Sequence, residues 1–203
     1  MDIYLIRHGR TQGNLERRYI GSTDESLCHE GRKELLQGRE QRKLPSVAYL
    51  YSSPMKRCRE SAGILFPGME ARLVPGLREC DFGVFENKNY QELAADPAYQ
   101  RWIDSNGTLP FPAGEDQRLF RSRCAEAFAD IVSELLELNA AAAAIVAHGG
   151  TIMSILERYA EPARPFYDWQ IKNGESYHLL VDDSAWKRQS CIQVLEHIRQ
   201  PQA

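Results

Sequence analysis

Three unbroken apolar runs, at residues 3–6, 47–51 and 143–147, constrain this chain more than any other feature. A strand with one face in water alternates polar and apolar residues, whereas a strand covered on both faces does not, so these runs predict the buried strands of a parallel sheet. Helical patterns lie between and after them. One covers 27–42, with Leu27, Leu35 and Leu36. A second covers 54–65 and opens on Pro54, a favoured first-turn residue. A third covers 115–138, with Phe120, Cys124, Phe128, Ile131, Leu135 and Leu138 at helical spacing. Its first residues, Glu115 and Asp116, are acidic, as the helix dipole favours. A fourth covers 150–159, and "NGESYHLLVDD" and "QSCIQVLEHI" read as late strands. Strands alternating with helices predict an α/β fold, a three-layer α/β/α sandwich with a mostly parallel central sheet. Residues 1–203 read as a single domain. Within it, about 81–114 is irregular and rich in Pro, Gly and aromatics, as expected of a cap or lid insert over a cleft.

Each apolar run ends in a polar turn that opens a helix. The first ends in Arg7-His8-Gly9, the second in Ser52-Ser53-Pro54 with Arg57 just beyond, and the third in His148-Gly149-Gly150-Thr151. Open α/β sheets bind ligands outside the carboxyl ends of their strands. Parallel strands would therefore gather Arg7, His8, Arg57 and His148 in one crevice. Two guanidiniums, two imidazoles and helix N-termini suit a tetrahedral oxyanion, with phosphate the obvious candidate.

The chain as a whole is not basic: 25 Lys and Arg face 28 Asp and Glu, a net charge of −3. That balance makes the local cluster stand out and argues against nucleic acid or an anionic membrane as partner. No apolar stretch approaches the length of a membrane span, and no signal peptide is visible. The five cysteines form no CxxC pair, which favours a reducing cytoplasm over a disulfide framework. No HxxxH, HExxH or carboxylate cluster of ligand spacing suggests a metal.

Taken in order, "LIRHGRTQGN", "YSSPMKRCRESA", "LRECDFG", "AGED" and "VAHGGT" resemble the motifs of the histidine phosphatase superfamily, phosphoglycerate mutase-like branch. The resemblance implies a metal-independent phosphomonoesterase that needs no cofactor and acts on a small-molecule phosphate ester. His8 would attack phosphorus and form a phosphohistidine. Arg7, Arg57 and His148 would clamp the phosphoryl oxygens, and Glu79 would serve as acid and then base. Asp81 and Glu86 compete for that last role. Asn14, Thr11, Gly21, Ser22 and Gly149 would bind phosphate. The compact chain favours hydrolysis over phosphoglycerate mutase-type transfer. The segment after Phe82 resembles small bacterial phosphatases of α-ribazole phosphate or sugar phosphates. A mutase, a non-catalytic phospho-ligand-binding relative and a homodimer are left open.

Three positions depart from the pattern. Arg10 stands where many relatives carry an acid, and either adds charge at the cleft mouth or is solvated. Cys28 stands where a Thr usually caps the next helix, and Asn87 where Gly is common. Tyr90, Tyr99, Trp102 and Phe111 form either an aromatic wall for a ring-bearing substrate or the insert's own core.

Overall fold

The computed structural model describes residues 1–41 and 46–200. The strands are β1 (Asp2–Arg7), β2 (Tyr49–Ser52), β3 (Arg72–Leu73), β4 (Ala142–Ala147), β5 (Ala160–Glu161), β6 (Ser176–Leu180) and β7 (Ile192–Ile198). They form one sheet in the order β3-β2-β4-β1-β6-β7-β5. β4 pairs in parallel with both β1 and β2, which aligns their carboxyl ends. β3 joins β2, and β5 joins β7, also in parallel. β6 runs antiparallel to β1 and to β7, so the sheet is mixed but mostly parallel.

The helices are α1 (Gln12–Leu15), α2 (His29–Gln41), α3 (Lys56–Leu65), α4 (Tyr90–Leu93), α5 (Pro97–Asp104), α6 (Gln117–Glu137), α7 (Gly149–Tyr159) and α8 (Asp183–Gln189). Side chains alternate across the sheet and meet a helical layer on each face. Ile3, Leu5 and Ile145 pack with Phe128 and Leu135 of α6 and Ile152 of α7. Ile6, Ala144 and Val146 pack with Leu35 of α2 and Cys58 and Ala62 of α3. This double coverage is why the strand runs are unbroken in sequence. A side chain such as fully buried Ile145 contributes about 1.5–3 kcal/mol by leaving water.

Several boundaries move for local reasons. α3 starts at Lys56 rather than Pro54, because the Lys56 N–H donates to Asp24 Oδ1 at 2.7 Å, a cap supplied from a distant loop. α6 starts at Gln117, because Asp116 accepts from the Arg118 and Leu119 N–H groups, while Glu115 turns away to pair with Arg123. Cys28 does cap α2, but through its thiol: Gly31 N–H lies 3.3 Å from Sγ, a weaker acceptor than a hydroxyl. The last residue of the expected 27–42 helix lies outside the described residues. α7 begins one residue earlier than expected, at Gly149. The tail of the first late strand is instead α8, capped by Asp182. Two-residue strands such as β3 and β5 are too short to leave a periodic signal.

The insert carries α4, α5 and a small core of Phe85, Leu93, Tyr99 and Phe111, which packs on Phe120 and Cys124 of α6. Tyr90 stays outside it, half exposed. Among the described residues no helix is long and apolar enough to cross a membrane.

Candidate active site

The end of β1 delivers Arg7 and His8 to the crevice, and a loop at 171–175 brackets them. The Arg7 N–H donates to Glu175 O at 3.0 Å, and the Gly174 N–H donates to Arg7 O at 3.0 Å. Arg7 Nη1 donates to Ile171 O at 2.6 Å. The buried Arg7 Nε has no partner among the described residues. Burial pulls the Arg7 pKa down, and the carboxylates of Glu79 and Glu175 oppose that pull.

His8 is buried, with its Nδ1 2.7 Å from Gly9 O. A carbonyl only accepts, so Nδ1 carries the proton and Nε2 carries the lone pair. Burial, then Arg57 and Arg7, hold the His8 pKa well below 6.5, so the ring is a neutral nucleophile across the ordinary pH range. Its ring meets that of His148 edge-on, with centroids 5.1 Å apart.

Arg57 is fully buried, which only multiple partners permit. Nη1 donates to Thr23 O at 2.7 Å and Nη2 to Gly21 O at 2.9 Å, while Nε donates to His148 Nδ1 at 3.2 Å. Three of its five N–H groups are thus used, and two remain. The Arg57 bond leaves the neutral His148 proton on Nε2, which donates to Ser53 Oγ at 2.8 Å. Burial and the neighbouring Arg57 push the His148 pKa well below 6.5.

Glu79 stands on the far side of the crevice. Its oxygens accept from the Cys80 N–H and from the Gly150 N–H at the start of α7, each at 3.0 Å. Burial raises its pKa above 4.5 against the pull of those donors and of Arg57 and Arg7, which favours a carboxyl able to hold a proton. An added Cβ at Gly150 would lie 2.4 Å from Glu79 Oε1, so a side chain there would push the carboxylate out of its bond to the helix start. Gly149 in turn lets Arg7 lie flat on the helix start, where an added Cβ would be 3.3 Å from Cζ.

On the Glu79 side lies a cavity of about 230 Å³ walled by Tyr19, Phe82, Trp102, Phe111, Phe120 and Phe166, with Glu79 and Gly150 among its lining. Phe111 belongs to the insert's core with Trp102 packed against it, and both also line this cavity.

The family model for the histidine phosphatase superfamily (branch 1) matches residues 3–192. The chain belongs to this superfamily. A probable phosphoglycerate mutase GpmB of Enterobacter sp. (strain 638) is 32% identical over 134 residues, 64% of this chain and 62% of that protein. The match thus spans less than two thirds of that relative's length. A putative alpha-ribazole-5'-P phosphatase from Escherichia coli K-12 superposes with a TM-score of 0.82 at 19% identity, covering 100% of this chain and 98% of that one. At that identity the likeness shows the fold alone. A phosphoglycerate mutase from Thermus thermophilus superposes with a TM-score of 0.70 at 28% identity, covering 99% of this chain and 100% of that one.

Among the residues expected to bind phosphate in this member of the superfamily, not all stand at the crevice. Asn14 stands beside the end of β1: Oδ1 accepts from the Thr11 N–H and, at 3.0 Å, from Asn173 Nδ2, which also donates to His8 O. Gly149 lies beside Arg7 at the helix N-terminus. Ser22 sits at the rim, its hydroxyl 3.4 Å from Asp81 Oδ1. Thr11 does not reach the site. It is fully buried and caps α1, with Oγ1 accepting from the Asn14 N–H at 3.3 Å. Gly21 acts indirectly: its carbonyl holds Arg57 and its N–H donates to Glu86 Oε1 at 2.7 Å. His148, expected to clamp oxygens, has both ring nitrogens engaged by Arg57 and Ser53 and orients Arg57 instead. Arg10 is neither free at the mouth nor simply solvated, because it forms a bidentate pair with Glu34.

The competitors of Glu79 are occupied elsewhere. Glu86 accepts from the Gly21, Thr23 and Phe82 N–H groups, and so builds the loop that holds Arg57. Asp81 accepts from the Gly83 N–H. Sequence reasoning missed Ser53 as a partner of His148 and the whole 171–175 bracket. "NG" at 173–174 signals a turn, but nothing in its spacing tells that β6 lies beside β1.

The two buried histidines predict an acid-sensitive fold. In the unfolded chain each takes up a proton near pH 6.5, while in the folded protein neither does until well below that value. The unfolded state therefore binds more protons, and stability falls as pH drops below about 6.5, by up to roughly 1.4 kcal/mol per pH unit for each ring. Glu79, with its raised pKa, acts with the opposite sign above 4.5. Urea unfolding at pH 7.5, 6.5 and 5.5 should show the fall, and His8→Asn should roughly halve it, leaving the share of His148. An Asn variant with the wild-type pH dependence would contradict a neutral buried His8.

Proposed function

We propose that this chain is a phosphomonoesterase that works through a phosphohistidine on His8. The observation that carries the reading is the convergence of the buried His8 and Arg57 with Arg7 and Glu79 at one set of strand ends. His8 Nε2 attacks phosphorus. Arg7, the two remaining N–H groups of Arg57 and the Asn14 amide stabilise charge on the phosphoryl oxygens, the electrostatic work that dominates phosphoryl transfer. Glu79 protonates the departing oxygen, then takes a proton from the water that attacks the phosphohistidine. His148 and the Gly21 and Thr23 carbonyls hold Arg57 in place for both steps.

The leaving group lies on the Glu79 side, because the acid must reach the departing oxygen. The aromatic cavity there suits an alcohol that carries a flat ring, and α-ribazole 5'-phosphate has that character. Phosphoglycerate fits it less well. The cation in the lining, Arg121, already has its charge paired with Glu157 and stacked on Phe166 at 4.1 Å, so a substrate carboxylate would have to share it. Purified protein should therefore hydrolyse α-ribazole 5'-phosphate at least tenfold more efficiently, in kcat/KM, than 3-phosphoglycerate. Mutase turnover faster than hydrolysis would reverse the assignment.

Vanadate and phosphate should inhibit competitively and stabilise the fold, since either binds the assembled crevice and not the unfolded chain. At a hundredfold excess over Kd the gain is about 2.7 kcal/mol, or roughly 5–10 °C in Tm for a chain of this size. No Tm shift at saturating vanadate would mean that Arg7, Arg57 and Asn14 do not form one anion site.

A further inference from the structure

We propose that Glu175 is a positioning residue: its buried carboxylate latches the 171–175 loop onto the end of β1 and thereby sets where Arg7 and Asn14 meet the phosphate. The inference rests on the phosphatase reading above and adds to it a residue outside the crevice.

The loop supplies most of the polar contacts to those two side chains from behind, the Thr11 N–H on Asn14 being the exception. Ile171 O takes the Arg7 guanidinium, Glu175 O takes the Arg7 N–H, and the Gly174 N–H bonds Arg7 O. Asn173 Nδ2 donates both to His8 O at 3.1 Å and to Asn14 Oδ1 at 3.0 Å. The second of these fixes which way the Asn14 amide points, and hence that its NH₂ faces outward.

Such a loop, without regular structure of its own, keeps this shape only if something closes it. Glu175 does so twice. Oε2 accepts from the Lys172 N–H at 2.9 Å, joining the two ends of the loop, and from His197 Nε2 of β7, also at 2.9 Å. His197 is in turn stacked on Tyr177 of β6, with centroids 4.4 Å apart. The carboxylate thus ties the loop to two strands of the sheet. It is only 4% exposed. A buried carboxylate is costly, and here the Lys172 N–H and His197 Nε2 offset that cost, so the latch holds only while both partners are in place.

Three variants test the latch. Glu175→Gln keeps an oxygen for the Lys172 N–H and presents an amide to His197. Glu175→Ala removes the latch. His197→Phe keeps the stack on Tyr177 and removes one hold on the carboxylate. Displacing a clamp by about an ångström costs up to about 100-fold in rate. Glu175→Ala should raise the vanadate inhibition constant at least tenfold and lower kcat/KM by ten- to a hundredfold. Glu175→Gln should stay within threefold, and His197→Phe should fall between. Gly174 amide exchange, which needs no ligand, should quicken at least tenfold in Glu175→Ala.

A folded Glu175→Ala protein with vanadate inhibition within threefold of wild type, or with unchanged Gly174 exchange, overturns the proposal. So does a Gln variant as impaired as the Ala variant, because that would assign the effect to charge alone. If Glu175→Ala does not fold, His197→Phe decides, and vanadate inhibition within twofold of wild type counts against the latch. Failure of the phosphatase reading shows separately, as wild-type protein that neither binds vanadate nor cleaves p-nitrophenyl phosphate.

Discussion

His8→Ala should lose turnover by on the order of 10⁴- to 10⁶-fold, the range for removal of a covalent nucleophile. The size of the loss follows from the surroundings, which offer no substitute. The Cys58 thiol lies 3.5 Å from His148 Nε2 but is fully buried, and burial pushes its pKa up to about 12, so it is not a thiolate at working pH. The Ser53 hydroxyl is taken by His148. His148 itself has both ring nitrogens engaged. In wild-type protein, rapid quench should trap phosphate on His8, labile to acid and stable to base. The substitution should leave vanadate binding measurable, because Arg7, Arg57 and Asn14 remain. Turnover within tenfold of wild type would remove His8 from the mechanism.

Glu79→Gln should lose roughly 10²- to 10⁴-fold on a substrate with a poor leaving group, the usual worth of a positioned acid–base group. Gln keeps an acceptor for the Gly150 N–H, so the start of α7 should stay in place. The loss should depend on the leaving group. An alkoxide needs the proton, whereas p-nitrophenolate hardly does, so the p-nitrophenol burst should survive. The second step still lacks its base, and phosphohistidine should then accumulate. Equal losses on both leaving groups, without a burst, would show that Glu79 is not the acid. The neighbours that would inherit the role are poorly placed for it, with Glu86 holding three backbone N–H groups and Asp81 accepting from the Gly83 N–H.

Much of this site could be read before any coordinates. The three apolar runs declare strands buried on both faces, and in a parallel sheet their carboxyl ends must converge. Arg7, His8, Arg57 and His148 follow directly, because each stands at or just beyond a run's end. Burial on two faces and strand direction leave a local, periodic trace in the chain, and that trace is what the sequence by itself determined.

The tertiary structure decided which polar atom meets which. Thr11 sits three residues from His8, yet it faces inward as the cap of α1. His148 ends β4 as expected, but its role was set by Arg57 and Ser53, 91 and 95 residues away in sequence. Asp24 fixed where α3 begins, and the carbonyls of Gly21 and Thr23 fixed Arg57. The 171–175 bracket was invisible because β6 enters beside β1 antiparallel, with no crossover helix to announce it. Hydrogen-bond partners across such separations are chosen by packing geometry, which has no period and leaves no mark on neighbouring residues.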